Sequence, residues 1–218
     1  YEKVNDGLSI DFVLDPLATR FVVFRNKSTG KNDAGLAYDL QYGFEKNKGE
    51  IDESGTIDIT KNWTVGFNSE MGGPETYQLD ELKSWTAMDN EGIQYYSGKA
   101  KYSKDFTVPE GLLSKGTEAF VVFGDIQEMA QVHVNGNDCG IVWTPPYKAR
   151  ITPYLKSGNN TITVEVINTW NNRIVGDMRN ADQKPFTNTN AKARFSENSP
   201  LLNSGLIGDA QIHFVKSD

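Results

Sequence analysis

Several features that would place the chain in a familiar class are missing from it. Cys139 is its single cysteine, so no internal disulfide is available. No apolar run approaches the roughly 20 residues of a membrane span, and no signal peptide is recognisable, so we expect no membrane insertion. The 22 Lys and Arg residues form no basic block and are outnumbered by 29 Asp and Glu residues. This balance argues against a nucleic-acid partner, because phosphate binding needs clustered positive charge.

Motifs that hold cofactors or perform catalysis are missing as well. The two histidines, His133 and His213, lie far apart within strand patterns, which gives little support to a zinc site or a catalytic triad. No glycine-rich phosphate loop is present, and no oxygen-rich loop stands out as a calcium site. No carboxylate pair can be singled out as an acid and a nucleophile. The sequence therefore predicts no cofactor, no metal site and no catalytic residues.

Short strand candidates separated by turn signals fill most of the chain. The sequence Asn135-Gly136 predicts a type I′ hairpin between two of them, because both residues readily adopt a positive φ. Single helical turns are predicted at 81–85 and 109–114, and no segment shows the pattern of a long helix. Such spacing predicts an all-β sandwich or jelly roll. The strand candidates are Leu36–Phe44, Gly55–Thr60, Trp63–Phe67, Gln94–Val108, Ala119–Ile126, Ala130–Val134, Gly140–Val142, Thr161–Ile167 and Gln211–Val215.

The chain also divides into two unequal parts. Apolar runs at Leu8–Leu14 and Phe21–Phe24 predict a β-hairpin, and the polar, turn-rich stretch Lys27–Gly35 resembles a linker. We therefore expect residues 1–35 to be the terminal hairpin of a preceding domain plus a linker. Residues 36–218 are expected to form the sandwich.

Chemically useful side chains cluster directly after the strand Thr161–Ile167. Amides and a guanidinium offer fixed donors and acceptors to sugar hydroxyls, and an indole stacks on the apolar face of a pyranose ring. The two tryptophans are interpreted either as plugs of a sandwich corner or as stacking platforms. The Arg–Asp pair is interpreted either as a loop-fixing ion pair or as a ligand clamp. The candidate carbohydrate-binding residues are Trp143, Trp170, Asn171, Asn172, Arg173 and Asp177.

Several blocks in a fixed order carry a family resemblance that covers about residues 63–214. They are Tyr95–Phe106, Gln131–Gly136 with Gly140, Ile151–Thr161, Val164–Trp170 and Ser204–Ile212. This set resembles the sugar-binding jelly roll of β-galactosidase and β-glucuronidase glycoside hydrolases. The similarity is greatest to the C-terminal β-sandwich of bacterial α-L-rhamnosidase-like hydrolases, where Asn-x-Trp-x-Asn-Arg-x-x-Gly-Asp recurs. The matching residues here are Asn168, Trp170, Asn172, Arg173, Gly176 and Asp177.

The resemblance implies a galactose-binding-domain-like fold and an accessory role. In such hydrolases the acid and the nucleophile lie on a separate barrel domain, so we expect a non-catalytic carbohydrate-binding module of a polysaccharide-degrading enzyme. Its expected partners are a plant-type or host glycan and the catalytic domain of the same longer protein. A secreted or periplasmic bacterial location is also expected, although this chain carries no signal. The alternatives are a purely structural sandwich that supports a catalytic barrel, or a free-standing glycosidase.

Overall fold

The computed structural model of the protein describes residues 2–4, 7–9 and 55–216. Strands β1 (Glu2–Val4) and β2 (Gly7–Ser9) pair antiparallel, with Glu2 opposite Ser9. The predicted strands at 21–24 and 36–44, and the predicted boundary at residues 35 and 36, lie outside the described residues. The division into two parts therefore stays a prediction.

Residues 55–216 form two facing antiparallel sheets. Their strands are β3 (Thr56–Asp58), β4 (Lys61–Gly66), β5 (Tyr77–Glu81), β6 (Lys99–Val108), β7 (Thr117–Gln127), β8 (Met129–Val134), β9 (Asn137–Val142), β10 (Lys148–Arg150), β11 (Gly158–Ile167) and β12 (Gly205–Lys216). One sheet has six strands in the order β5-β4-β6-β11-β8-β9, and the other has four in the order β10-β7-β12-β3. This is the all-β sandwich that the sequence predicted.

Period-two alternation builds the core. In β11, Ile162, Val164 and Val166 are fully buried, while the residues between them point outward. Val132 and Val134 of β8 sit opposite Val164 and Ile162 and are equally buried. Each of these side chains contributes on the order of 1.5–3 kcal/mol to the free energy of unfolding. The inward face of the six-stranded sheet is thus set by the pattern that the sequence displays.

Two helices interrupt the strands of residues 55–216, and neither was predicted. Helix α1 spans Glu91–Gln94, so β6 begins later than the predicted strand, which started at residue 94. Helix α2 spans Asn171–Arg179, where the sequence predicted a loop. Short 3-10 turns occur at Ser69–Met71, Trp85–Ala87, Thr152–Tyr154 and Asn190–Arg194. Within the described ranges, no helix combines the length and the apolar character needed to cross a bilayer.

The predicted turn at Asn135-Gly136 is confirmed. Asn135 and Gly136 have φ of 51° and 79° and connect β8 to β9, as a type I′ hairpin requires. Strand β9 ends at Val142, immediately before the stretch from Trp143 to Tyr147 that contains two prolines. Because proline cannot donate to a ladder, regular pairing stops there.

An aromatic cluster fills the core beside the start of β12. The rings of Phe67, Trp85 and Tyr96 pack edge to face, with centroids 4.9 to 5.5 Å apart. Trp85 Nε1 donates to the hydroxyl of Tyr102 at 2.5 Å, and both side chains are fully buried. Burial raises the pKa of Tyr102 to about 12, so the hydroxyl keeps its proton and stays available for bonding. Gly205 lies directly against this pair.

Candidate functional site

The two candidate tryptophans lie at the same end of the six-stranded sheet. Strands β9 and β11 both run antiparallel to β8, which lies between them, so they point the same way and are roughly 10 Å apart. Trp143 follows the last residue of β9, and Trp170 follows β11 by three residues. The two side chains are 62% and 54% exposed. This exposure is incompatible with corner plugs and leaves both indoles open to a ligand.

Asn168 fixes the turn between β11 and α2. Its Oδ1 accepts from the backbone N–H of Gly98 at 2.9 Å, and its Nδ2 donates to Tyr96 O at 2.9 Å and to Ser204 Oγ at 3.0 Å. Helix α2 then begins with the bond from Ile174 N to Trp170 O at 3.1 Å. The position of the Trp170 backbone is therefore set by two other segments of the chain, residues 96–98 and Ser204, and by the first bond of α2.

Asn172 is buried and fastens α2 to the segment that precedes β12. Its Nδ2 donates to Leu202 O at 2.8 Å and to Ser204 Oγ at 3.1 Å, while its Oδ1 accepts from Leu202 N at 2.8 Å. The half-buried Asn171 donates its amide to Asn172 Oδ1 and to Pro200 O. Both the nitrogen and the oxygen of the Asn172 side-chain amide therefore form internal hydrogen bonds, which gives this residue a structural role.

Arg173 is buried on another side of the helix, against Ser97 and Phe186. Its backbone N–H donates to Ser97 Oγ at 3.1 Å. Its Nε lies 3.2 Å from Asp177 Oδ1, but the N–H is not aimed well enough to form a hydrogen bond. The guanidinium stacks on Phe186, with 4.4 Å between Cζ and the ring centroid. A Cβ on Gly176 would lie 2.6 Å from Nη2 and 2.6 Å from the Cβ of Tyr95, so a side chain here would displace the guanidinium or Tyr95.

Asp177 completes the arrangement from the end of α2. Its Oδ2 accepts from Thr187 N at 2.8 Å and from Thr187 Oγ1 at 2.5 Å, and its Oδ1 accepts from Phe186 N at 3.2 Å. Burial alone would raise the pKa of Asp177, but these hydrogen bonds and the nearby Arg173 lower it overall. Burial lowers the pKa of Arg173, and Asp177 opposes that effect. Asp177 is therefore a charged anchor for the loop at 186–187.

We call Asn172, Arg173 and Asp177 the α2 clamp. Among the two interpretations of the Arg–Asp pair, the geometry favours the loop-fixing ion pair, since both side chains are at most 5% exposed. Phe186, Thr187 and Ser97 complete the clamp, and the sequence did not point to them. They lie between 9 and 76 residues from their partners, so no local pattern could connect them.

Comparisons with known proteins agree with this architecture. Residues 32–188 match the family model described as glycosyl hydrolases family 2, sugar binding domain. A protein named putative beta-glucuronidase from Formosa agariphila is 32% identical over 181 residues, covering 73% of this chain and 16% of that protein. A solved rhamnosidase structure from Novosphingobium sp. PP1Y has a TM-score of 0.68 at 31% identity, covering 76% of this chain and 16% of that chain.

A more distant structure shares only the fold. The β-D-glucuronidase of Dictyoglomus thermophilum gives a TM-score of 0.52 at 19% identity and covers 76% of this chain and 29% of that chain. The chain thus spans about a sixth of the length of the first two relatives, with 16% coverage of each. The family match extends over more than half of the sequence and over the strands from β3 to β11. This chain belongs to the sugar-binding domain family of glycosyl hydrolase family 2.

Proposed function

We propose that this chain is a non-catalytic domain that contacts carbohydrate at the sandwich end where β9 and β11 terminate, within a longer polysaccharide-degrading glycoside hydrolase. The observation that carries the proposal is the pair of exposed indoles, Trp143 and Trp170, at one end of a rigid sheet. An indole face presents the flat apolar surface on which the C–H face of a sugar ring stacks. The family match and the names of the relatives support a sugar ligand.

The α2 clamp gives this proposal its mechanism. Asn172 and Asp177 hydrogen-bond the two ends of α2 to neighbouring segments, so the backbone of Trp170, directly before the helix, is held in place. A ligand that stacks on Trp170 then meets a preorganised surface, which lowers the entropy cost of binding. In this account the clamp residues act on the ligand through Trp170, and Trp143 and Trp170 make the direct contact.

Replacing the exposed indoles tests the proposal. The double variant Trp143→Ala/Trp170→Ala should lose binding to an immobilised glycan array, because each stacking contact is worth roughly 0.5–1.5 kcal/mol beyond its buried area. Its thermal midpoint should stay close to wild type, since both side chains are more than half exposed. Gln78→Ala is the control, because Gln78 is exposed on β5, at the edge of the six-stranded sheet opposite β9. Unchanged glycan binding by a folded double variant would exclude the two indoles as the contact.

A specific observation also favours a supporting role against another domain. Met129 of β8 and Ile167 of β11 are opposite each other and point outward, and Ile141 of β9 projects from the neighbouring strand. All three are exposed large apolar residues, and Trp143 follows Ile141 by two positions. We call these four residues the outer apolar strip. Contiguous exposed apolar side chains mark protein contact surfaces, and the matched part of this chain covers only 16% of each of the first two relatives.

A charged substitution in the outer apolar strip distinguishes the carbohydrate-binding role from the supporting role. Ile167→Lys should change the free energy of unfolding of the isolated chain by about 0.5 kcal/mol or less, because the side chain is exposed. In a longer polypeptide that carries this domain, the same change should lower the thermal midpoint by several degrees if the strip is covered there. Equal behaviour in both contexts would show that no other domain covers the strip.

A further inference from the structure

An open groove lies beside the C-terminal end of α2. It encloses about 560 Å³, within the usual range of ligand sites. One wall comes from the end of α2 and the residues that follow it, and the other wall from residues 195–198. None of the six candidate residues except Asp177 lines it, so this groove is distinct from the surface formed by the two indoles.

Internal hydrogen bonds hold both walls in place. Arg179 donates from Nε to Glu197 O at 2.8 Å and from Nη2 to Ser199 O at 3.1 Å, which fastens the far wall to the helix. Gln183 N donates to Asn180 O at 3.0 Å and continues the near wall from the helix end. The next segment is anchored at Phe186 and Thr187 by Asp177. The groove is therefore largely formed before any ligand binds.

The lining combines the two kinds of surface that a sugar ring needs. Apolar C–H groups and one aromatic ring suit the apolar face of a pyranose, and amide, hydroxyl and carboxylate groups suit its hydroxyls. The apolar contributors are Met178, Ala181, Pro185 and Phe195, and the polar ones are Gln183, Ser196, Glu197 and Asn198.

The charges of the groove distinguish between classes of sugar. Asp177 and Glu197 are the ionisable residues in the lining, and both are acidic. Arg179 directs its guanidinium to backbone carbonyls of the far wall, and the exposed Lys184 lies outside the lining. Asp177 is buried beside Arg173, so the carboxylate of a uronic acid would meet the charge of the exposed Glu197, with no cation among the lining residues. A neutral sugar would meet only hydrogen-bond partners and apolar surface.

We propose that the groove between α2 and residues 195–198 is a carbohydrate subsite that takes neutral sugars in preference to uronic acids. The proposal rests on the proposed carbohydrate-binding function and adds a second contact beside the indoles. Phe195 supplies the stacking face, Gln183 and Asn198 supply donors and acceptors, and Glu197 excludes anionic rings.

Chemical-shift titration of the isotope-labelled chain tests the subsite. The probes are neutral rhamnose and galactose oligosaccharides, with galacturonate and glucuronate oligosaccharides of matched length. We expect neutral probes to shift backbone amides at 177–198 and Phe195→Ala to weaken that binding roughly three- to tenfold. Glu197→Lys, a change at an exposed side chain, should move the preference toward the uronates by several fold.

The outcomes separate this subsite from the broader function. Shifts confined to the neighbourhood of Trp143 and Trp170, unaffected by Phe195→Ala, would overturn the groove and leave the carbohydrate function in place. Stronger binding of the uronates by the wild-type groove would overturn the assignment to neutral sugars. A folded chain that responds to no probe in either region would overturn both proposals.

Discussion

Replacing Gly205 by alanine is expected to lower the free energy of unfolding by about 3 kcal/mol or more. The first part of the loss is conformational, because Gly205 has φ of 97°, and an alanine there costs roughly 1–2 kcal/mol. The second part is steric. A Cβ would lie 2.7 Å from the Tyr102 hydroxyl and collide with Trp85 Nε1, and overpacking of this kind costs roughly 1–3 kcal/mol. Urea unfolding followed by tryptophan fluorescence and circular dichroism measures the sum.

The β8–β9 turn offers a matched control for this variant. Gly136 also has a positive φ, 79°, but no atom lies within 4 Å of a Cβ built there. Gly136→Ala should therefore show only the conformational cost of roughly 1–2 kcal/mol. The difference between the two variants isolates the collision with the Trp85–Tyr102 pair. Equal losses of unfolding free energy in the two variants would mean that Trp85 and Tyr102 move aside at no energetic cost, contrary to their full burial and their hydrogen bond.

The strands that the sequence identified are those whose side chains alternate in character. In β8 and β11 apolar residues alternate with polar ones, at Ala130, Val132 and Val134 and at Ile162, Val164 and Val166, so burial on one face follows from the pleat alone. Strand β5 escaped prediction because only Leu79 is buried among polar neighbours. Strand β10 escaped because it is three residues long and follows two prolines. Strand β10 pairs with β7 rather than with a neighbour in sequence, which a local pattern cannot display.

The sequence indicated which residues belong to the candidate site, but not how they are arranged. The pair Asn171-Asn172 has poor helix propensity, so a loop was the natural prediction. The helix is held by bonds to other parts of the fold: the Asn172 side chain bonds to Leu202, the Arg173 backbone N–H to Ser97, and the Asp177 side chain to Thr187. Whether Trp170 is exposed depends on where that helix begins. The sequence thus predicted a candidate site at this sandwich end, and tertiary contacts divide its residues between an internal clamp and an exposed indole.

Asp177→Asn is expected to lower the free energy of unfolding by roughly 3–5 kcal/mol, the usual cost of removing one partner of a buried ion pair. The change leaves Arg173 charged and almost fully buried, and it places an amide N–H near donors that now bind a carboxylate oxygen. Arg173→Met in the same chain should recover part of the loss, because the uncompensated charge is then gone. Glu118→Gln is the control, since the Glu118–Arg150 pair is 37% and 26% exposed and its loss should cost about 1 kcal/mol or less.

The same variant has a pH signature that a simple packing defect would lack. The folded pKa of Asp177 is lowered, so its ionised form stabilises the fold above the ordinary aspartate pKa, and that stabilisation is lost as pH falls through the lower folded value. The free energy of unfolding of wild type should therefore exceed that of Asp177→Asn most at neutral pH, and this difference should become smaller at acidic pH. A gap that does not change with pH would mean that the carboxylate holds the 186–187 loop by shape alone. In that case the charge on Arg173 would contribute nothing to positioning α2 or the indole at its start.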